Sequence, residues 1–439
     1  MKIRLRHLIE FQLYFMLVIK SFISIFGLPE ATKYILDINV VLMIALALPS
    51  LPRLFKDKDF RKINSYITAY MIAMVAIAVV KNVPAGQIIW AIRNNFFFII
   101  FFFICTIAMN AKDAERILDN IVKLQIYNVI CVLLEFFVMH KKNDFLGGMF
   151  GTAQGCNVYL NVYMFVITAY TVVRYLYKKT PISTMLMVVI SNVAIAAVSE
   201  LKFYYFELGI ILIVSLILSG KSSKNLYIVI FVLGALFIGI RILSVVNAGS
   251  IDILSSFDSM AEYASDDFAN EDRFVITRMT SFSQINDYFF NNRIIYKLLG
   301  FGFGFSESSK TFAWANSSFA DRYEDTGYRH LTVSVNYLET GYIGLILFIL
   351  IFVMILFKAR KFKDKFEDKY NYIVVLSQVF IIVQIANFWY NAGIRIEIAY
   401  LSYFMLAMIY IFANDYKQKE LENKKHNLNY TDPDIKVKS

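Results

Sequence analysis

The stretch "VNYLETGYIGLILFILIFVMILF", Val335 to Phe357, decides the fold class of this chain. After Glu339 it carries no charged residue before Lys358. A helix needs about 20 predominantly apolar residues to cross the ~30 Å hydrocarbon layer of a bilayer, and this run is long enough to do so. The pattern predicts a membrane-spanning helix over 331–357.

The composition of the whole chain agrees with a membrane protein. Of its 439 residues, 58% are hydrophobic and only 18% are charged, and the mean hydropathy is +0.56. A soluble domain cannot hide that much apolar surface. The three cysteines show no CxxC spacing, so the sequence supports neither a disulfide framework nor a zinc site. The net charge of +10 comes from basic residues in short loops, which indicates membrane topology and no nucleic-acid partner.

Apolar runs separated by polar breaks recur along the chain and predict twelve membrane spans. Together with one long hydrophilic loop they indicate an all-α polytopic membrane protein. The predicted spans are 8–28, 34–51, 63–83, 88–109, 117–139, 157–176, 182–200, 203–219, 225–246, 331–357, 372–393 and 396–414.

The loop charges predict the orientation of these spans. With the N-terminus inside, the cytoplasmic segments hold 27 Lys and Arg residues and the opposite short loops hold six. Because Lys and Arg concentrate in short cytoplasmic loops, we expect both termini in the cytoplasm. The chain then divides into nine spans over 1–246, a large extracytoplasmic loop over 247–330, three spans over 331–414 and a cytoplasmic tail over 415–439.

The long loop is acidic at first and then amphipathic. Phe282, Ile285, Tyr288 and Phe289 recur at helical spacing, which predicts short helices lying on the outer face. The repeat "LLGFGFGFS", Leu298 to Ser306, lacks the GxGxxG spacing of a dinucleotide loop. If it is extended, its three phenylalanines lie on one side and bare glycine backbone on the other.

Few basic residues are expected on the outer side, and the candidate site residues are these and their neighbours. Glu200 and Lys202 occupy the predicted tight turn of "AVSELKFYYFEL". Lys202 either snorkels to lipid headgroups or binds an anionic lipid phosphate. Arg273 and Arg278 either form salt bridges with neighbouring acids or bind pyrophosphate through their guanidinium groups.

Two further candidates lie within or beside predicted spans. Arg93 falls in span four and is either functional or simply close to the outer end of that span. Lys20 in span one has a potential partner in Asp37 of the next helix. His330, after Arg329, ends the long loop, and it is either a structural hydrogen-bonding group or a proton acceptor.

Several of these features occur in an order that resembles the bacterial O-antigen and capsular polysaccharide polymerase (Wzy-type) and ligase families. An arginine, Arg273 or Arg278, precedes "GFGFG", and the "VNYLETGYIG" helix start follows a polar loop. Earlier, "GGMFGTAQGCNVYLNVYMF" resembles the glycine loop of these families, and "SELKFYYFELGIILI" resembles their short outer turn with one basic residue. Val335 stands where the ligases generally carry a histidine, which favours a polymerase over a ligase.

The resemblance implies a GT-C-like glycosyltransferase of the bacterial cytoplasmic (inner) membrane. It would transfer a glycan from undecaprenyl pyrophosphate to the terminal sugar of a lipid-linked repeat unit, with inversion and without a metal or cofactor. A chain-length regulator and a flippase are implied partners in the membrane. Lys202, Arg273 and Arg278 would stabilise the pyrophosphate, and Glu200, Glu339 or His330 would accept the proton. The implied substrate-binding residues are Arg329, Asn336, Gly300, Gly302, Gly304, Asn157 and Arg93.

Two other classes of protein stay open at this point. A polysaccharide flippase or ion-coupled transporter predicts symmetric halves and charged residues around a central cavity at mid-membrane. No internal repeat is visible, and the polar residues concentrate in one loop. A structural membrane protein whose loop only binds partners is the third possibility.

Overall fold

The computed structural model describes residues 4–220, 234, 237, 241, 274–309, 311–366 and 370–431. Within those ranges the regular secondary structure is helical, and none of it is β-strand. The all-α prediction is therefore confirmed for this part of the chain. Arg273, the predicted span 225–246 and the acidic first part of the long loop lie outside the described residues, apart from the three isolated positions.

Eleven long helices make up the described bundle, and eight of them are long and apolar enough to cross a membrane. The protein is thus a multi-pass membrane protein. The predicted spans 157–176, 182–200 and 396–414 coincide with α6, α7 and α11, which are not among the eight. The helices are α1 Leu5–Phe26, α2 Glu30–Ser50, α3 Arg61–Val80, α4 Ala85–Ala108, α5 Ala111–Val138, α6 Asn157–Leu176, α7 Ile182–Val198, α8 Lys202–Ser219, α9 Thr332–Lys361, α10 Asn371–Tyr390 and α11 Ala399–Thr431.

Two helices, α6 and α11, form the centre of the bundle. Every residue of α6 from Tyr159 to Val173 is buried, as is every residue of α11 from Ala399 to Ala413. By contrast, α2 exposes Ile38 at its surface. A helix that is apolar on all sides is stable only when it is surrounded, so α6 and α11 take the interior and α2 lies at the periphery.

Contacts between helix ends test the predicted alternation of the chain. Arg116 near the start of α5 pairs with Glu10 near the start of α1, at 2.9 Å. Lys417 of α11 pairs with Asp57, in the loop before α3, at 2.8 Å. These segments all belong to the side that the charge rule assigns to the cytoplasm. The helix ends meet as the alternation requires, while the side of the membrane they face stays a prediction.

The described part of the long loop packs as an aromatic layer on the other end of the bundle. Its short helices include Ser281–Gln284, Ile294–Leu299 and Ser318–Tyr323, and a π-turn covers Ile285–Phe289. The prediction of short helices is confirmed for this segment, while their position on the outer face of the membrane stays a prediction. The aromatic layer comprises, among others, Phe290, Phe301, Phe305, Phe319, Tyr328 and Tyr337.

The glycine repeat is a series of turns and not an extended segment, so the condition for placing its three phenylalanines on one side is not met. Gly300, Gly302 and Gly304 have φ of +61°, +117° and +90°. These left-handed values break the alternation of a strand. As a result Phe303 stacks on Phe96 of α4 with ring centroids 4.7 Å apart, whereas Phe301 and Phe305 join the aromatic layer.

The turns dock on an interruption in α9. Gly341 has a φ of +63°, which breaks the helix and removes the usual partners of the preceding carbonyls. Phe301 N–H donates to Leu338 O at 2.9 Å, and Gly302 N–H donates to Glu339 O at 2.8 Å. The repeat therefore replaces hydrogen bonds that the helix gives up.

Two glycines permit this close approach of one backbone to another. A Cβ on Gly300 would lie 2.3 Å from the carbonyl carbon of Glu339. A Cβ on Gly341 would lie 2.4 Å from the carbonyl carbon of Leu298. Both distances are too short for real atoms, so the loop and α9 fit only because neither position has a side chain.

Candidate functional site

Charged and ionisable side chains from four separate segments gather at the end of the bundle where the long loop packs. We call this group the loop-end cluster, and it consists of Asp144, Glu200, Lys202, Arg278 and His330. Glu200, Lys202, Arg278 and His330 are candidates from the sequence, and Asp144 is not. The fold therefore brings together residues that lie up to 186 positions apart in the chain.

The turn between α7 and α8 carries two members of the cluster. Helix α7 ends at Val198 and α8 begins at Lys202, so the predicted tight turn is confirmed. Glu200 has a φ of +53°, and Leu201 N–H donates to Ala196 O at 2.9 Å. This compact backbone places Lys202 at the first position of a helix.

Arg278 is held beside that first turn by aromatic side chains. Its Nε donates to the carbonyl oxygen of Tyr390 at 3.2 Å, and its guanidinium lies 4.4 Å from the centre of the Tyr390 ring. The Tyr390 ring stacks on Phe203, with centroids 3.9 Å apart and planes 5° from parallel. Phe203 follows Lys202 in the chain, and the positive charge of Arg278 acts on Lys202. Two cations are thus placed close together.

His330 lies at the end of the loop, in the turn Tyr328–His330 that precedes α9. Desolvation by the surrounding protein lowers the pKa of its imidazole, although the side chain keeps an exposed edge. The negative charges of Asp144 and Glu324 raise the pKa of His330, while the positive charges of Arg278 and Arg329 lower it further. The neutral imidazole is consequently favoured, and that is the form able to accept a proton.

Asp144 is the member that sequence reasoning missed. Its carboxylate Oδ1 accepts a hydrogen bond from Asn157 Nδ2 at 2.7 Å, which gives Asn157, a predicted substrate-binding residue, a direct partner in the cluster. Asp144 is the only acidic residue between Met139 and Cys156, the segment that contains the glycine loop. A single acidic residue beside a glycine loop was the signal that the sequence offered. The sequence could not predict which distant segments Asp144 contacts.

Glu200 faces both a cation and another carboxylate. Burial raises the pKa of its carboxyl group, Lys202 opposes that rise, and the negative charge of Asp144 adds to it. Like charges therefore share this site on both the cationic and the anionic side. Ionisable groups brought together in this way are frequent at functional sites.

The glycine loop that presents Asp144 is anchored to α5. Glu135 accepts hydrogen bonds from Gly147 N–H at 3.1 Å and from Gly148 N–H at 2.6 Å. Asn128 accepts another from Met149 N–H at 3.2 Å. These hydrogen bonds attach the loop to the helix, and the loop backbone that carries Asp144 is held by them.

Arg93 is not a member of the loop-end cluster and belongs to a separate, partly buried network of opposite charges. It pairs with Asp37 at 3.1 Å and with Glu397 at 3.5 Å. Lys20 pairs with Glu397 at 3.5 Å, so the expectation that it pairs with Asp37 is wrong. The reason is that the guanidinium of Arg93 engages the Asp37 carboxylate through two nitrogens. We call these four residues the interior network.

Glu339 and Asn336 also lie away from the cluster, buried within α9. Glu339 Oε1 accepts from the hydroxyl and the backbone N–H of Ser306, at 2.7 and 3.2 Å. Beside it, Arg395 pairs with Glu307 at 2.5 Å. Of the three proposed proton acceptors, Glu200 and His330 therefore stand in the loop-end cluster, and Glu339 stands beneath the glycine repeat.

The remaining predicted site residues have partners within the protein. Arg329 pairs with Glu324 at 3.6 Å and contacts Ser308. A Cβ on Gly304 would lie 2.8 Å from Gln87 O, and one on Gly302 would lie 2.7 Å from Val83. The glycine backbone thus faces other parts of the protein at these positions.

In the portion of the chain that is described, no group of three or more His, Cys, Asp or Glu side chains is placed to hold a metal ion. Comparison with known proteins shows that no family model matches the sequence and that no curated protein matches it.

Proposed function

We propose that the protein is a glycosyltransferase that polymerises lipid-linked oligosaccharides at the surface of the membrane. One observation carries this proposal: Lys202, Arg278 and His330 come from three distant segments and meet at one end of a membrane bundle. Two adjacent cations at this end of the bundle can bind a pyrophosphate group whose lipid chain lies in the adjoining leaflet of the membrane. A neutral histidine beside them suits the deprotonation of a sugar hydroxyl.

The reaction needs positioning and charge stabilisation more than covalent chemistry. The acceptor hydroxyl oxygen attacks the anomeric carbon of the donor glycan, and the bond from that carbon to the pyrophosphate oxygen breaks. The electron pair leaves with undecaprenyl pyrophosphate, whose growing negative charge Lys202 and Arg278 stabilise. Attack from the face opposite the leaving group inverts the anomeric configuration. Metal independence is part of the proposal.

His330 is the proton acceptor that we favour among the candidates. Its environment keeps the imidazole neutral, and the carboxylate of Asp144 stabilises the imidazolium that forms on proton transfer. The negative charge of Asp144 disfavours the ionised form of Glu200, as like charges do. Glu339 would need the glycine repeat to move before a sugar reached it.

The direct test uses purified protein and a chemically defined lipid-linked repeat unit, with no nucleotide sugar present. We expect a ladder of longer lipid-linked glycans and release of undecaprenyl pyrophosphate, with inverted linkages in the product. A ligase would instead transfer the glycan once to an acceptor of another kind. Repeat units that stay unchanged under these conditions contradict the proposal, and retained anomeric configuration contradicts its mechanism.

A membrane carrier is the second candidate, and the interior network is the observation that favours it. Charged side chains inside a bundle and an interrupted helix, as at Gly341, are features of secondary transporters. A carrier reconstituted in liposomes would move the lipid-linked repeat across the bilayer without forming new glycosidic bonds. Analysis of the same samples for transport and for chain length separates the two functions.

A further inference from the structure

A second layer of polar side chains lies directly beneath the loop-end cluster. It consists of Asn161, Glu207, Thr332, Asn387 and Asn391, all of them buried, and we call it the Glu207 network. Glu207 is the one charged residue among them and has no exposed surface. Its contacts are with amides, and no cationic side chain of the described chain acts on it. A carboxylate in such a place is costly and calls for an explanation.

Hydrogen bonds join the carboxylate to α6 and α10. Asn161 Nδ2 donates to both carboxylate oxygens, at 2.9 and 3.0 Å. Asn387 Nδ2 donates to Glu207 Oε1. Asn391 Nδ2 donates to Asn387 Oδ1 at 2.7 Å, which extends the chain to the end of α10.

The network also reaches the start of α9. Both the hydroxyl and the backbone N–H of Thr332 donate to Asn391 O, at 2.7 and 3.1 Å. Thr332 is two residues after His330. The position of that histidine is therefore tied to the same buried chain.

Each arm of the network lies close in sequence to a residue at the site. Asn161 is one helical turn below Asn157, the partner of Asp144. Asn387 is three residues before Tyr390, which holds Arg278. Glu207 itself lies five residues below Lys202, on the same helix. The network thus connects the four helices that present the loop-end cluster.

The direction of these hydrogen bonds follows from one backbone donor. Gly393 N–H can only donate, and it donates to Asn391 Oδ1 at 2.8 Å. Asn391 must then direct its NH₂ group at Asn387 Oδ1, and Asn387 must direct its NH₂ group at Glu207. Both amides of this chain, Asn391 and Asn387, therefore donate in the direction of position 207, which must offer Asn387 an acceptor.

We propose that Glu207 is a positioning residue, which terminates this hydrogen-bonded chain and thereby holds Lys202, Arg278 and His330 in register. Its part in turnover rests on the proposed function. Its part in ordering the ends of α9 and α10 does not. An amide at position 207 keeps an acceptor for only one of the two neighbouring amides. Its NH₂ group then lies against the NH₂ group of the other, Asn161 or Asn387, and leaves buried polar atoms unsatisfied.

The test is a swap of donor and acceptor within the network. Glu207→Gln is expected to lower turnover by about tenfold or more, with a smaller change in KM for the lipid-linked repeat. The double variant Glu207→Gln with Asn387→Asp moves the acceptor to position 387 and is expected to restore most of the turnover. Gln384→Met is the matched control, because it removes another buried amide of α10 that contacts Ser402.

Hydrogen exchange in detergent gives a readout that needs no activity. Residues 328–335 and 388–395 are expected to exchange faster in Glu207→Gln and to recover in the double variant. If that pattern holds while the wild-type protein makes no polymer, the proposed function fails and the ordering role of Glu207 stands. Unchanged exchange in Glu207→Gln overturns the inference, and so does a double variant that folds or exchanges no better than the single one. Where the wild-type protein does make polymer, a double variant that turns over no better than the single one overturns it as well.

Discussion

The interior network and the loop-end cluster are both built from charged side chains, but they combine charge in opposite ways. In the interior network, Lys20, Glu397, Arg93 and Asp37 alternate in sign along a chain of contacts of 3.1 to 3.5 Å. Each buried charge there has an opposite charge beside it. Such a set is complete by itself and needs no ligand.

In the loop-end cluster, Glu200 and Lys202 also have opposite charges, but charges of the same sign lie near each other as well. Arg278 acts on Lys202, and Asp144 acts on Glu200. Bringing like charges together costs free energy that a dianionic ligand between the cations would offset. We therefore propose that the interior network stabilises the bundle and that the loop-end cluster binds substrate.

The largest expected effect comes from breaking the interior network. Arg93→Ala leaves Asp37 and Glu397 without their guanidinium partner in a buried position, and we expect a loss of about 3–5 kcal/mol of stability. Thermal unfolding in detergent measures this, with Arg322→Ala as an exposed control. A stable Arg93→Ala protein that has lost only activity would show that the interior network serves function and not stability.

The next effect comes from the cations of the loop-end cluster. Lys202→Ala and Arg278→Ala are each expected to lower turnover about 10²- to 10³-fold, because each removes a charge that stabilises the leaving group. Their unfolding temperatures should stay close to that of the wild-type protein. Lys33→Ala and Arg322→Ala are the matched controls, since both positions lie on the same side of the predicted topology. Equal activity in all four variants would exclude the cluster as the active site.

A third change disturbs the docking of the loop without touching either charged group. Gly341→Ala introduces a Cβ 2.4 Å from the Leu298 backbone at a φ of +63°, and we expect a cost of about 1–3 kcal/mol. Because this loop carries Arg278 and His330, turnover should fall with it. Gly209→Ala, at a position where a Cβ meets open space, is the control. A fall in stability with full turnover would show that the docking of the loop does not set the site geometry.

The smallest effect concerns the pH dependence of turnover. Asp144 raises the pKa of His330, opposing the lowering caused by desolvation, Arg278 and Arg329, so Asp144→Asn lowers that pKa further. If turnover requires neutral His330, the acid limb of the pH profile of turnover lies below the ordinary pKa of histidine. In the Asp144→Asn variant this limb moves to still lower pH. The maximal turnover above the acid limb should also fall, because the imidazole is then a weaker base. A limb that moves to higher pH, or does not move, argues against His330 as proton acceptor.

The sequence predicted those parts of the fold that depend on local pattern. Apolar runs placed the long helices, and the polar break at "SELK" placed Glu200 and Lys202 on a tight turn. The glycine repeat could not be predicted in the same way, because its left-handed turns depend on the interruption of α9 at Gly341. Asp144 and the partner of Lys20 were missed for a related reason, since both depend on contacts between segments far apart in the chain.

The most direct test of the contrast between the two charged groups is the binding of undecaprenyl pyrophosphate to the purified protein in detergent micelles, followed by phosphorus NMR. We expect the wild-type protein and the Lys33→Ala, Arg322→Ala double variant to bind it with similar affinity. The Lys202→Ala, Arg278→Ala double variant should remain folded and lose binding. Undiminished binding by that folded variant would contradict the claim that the loop-end cluster holds the pyrophosphate.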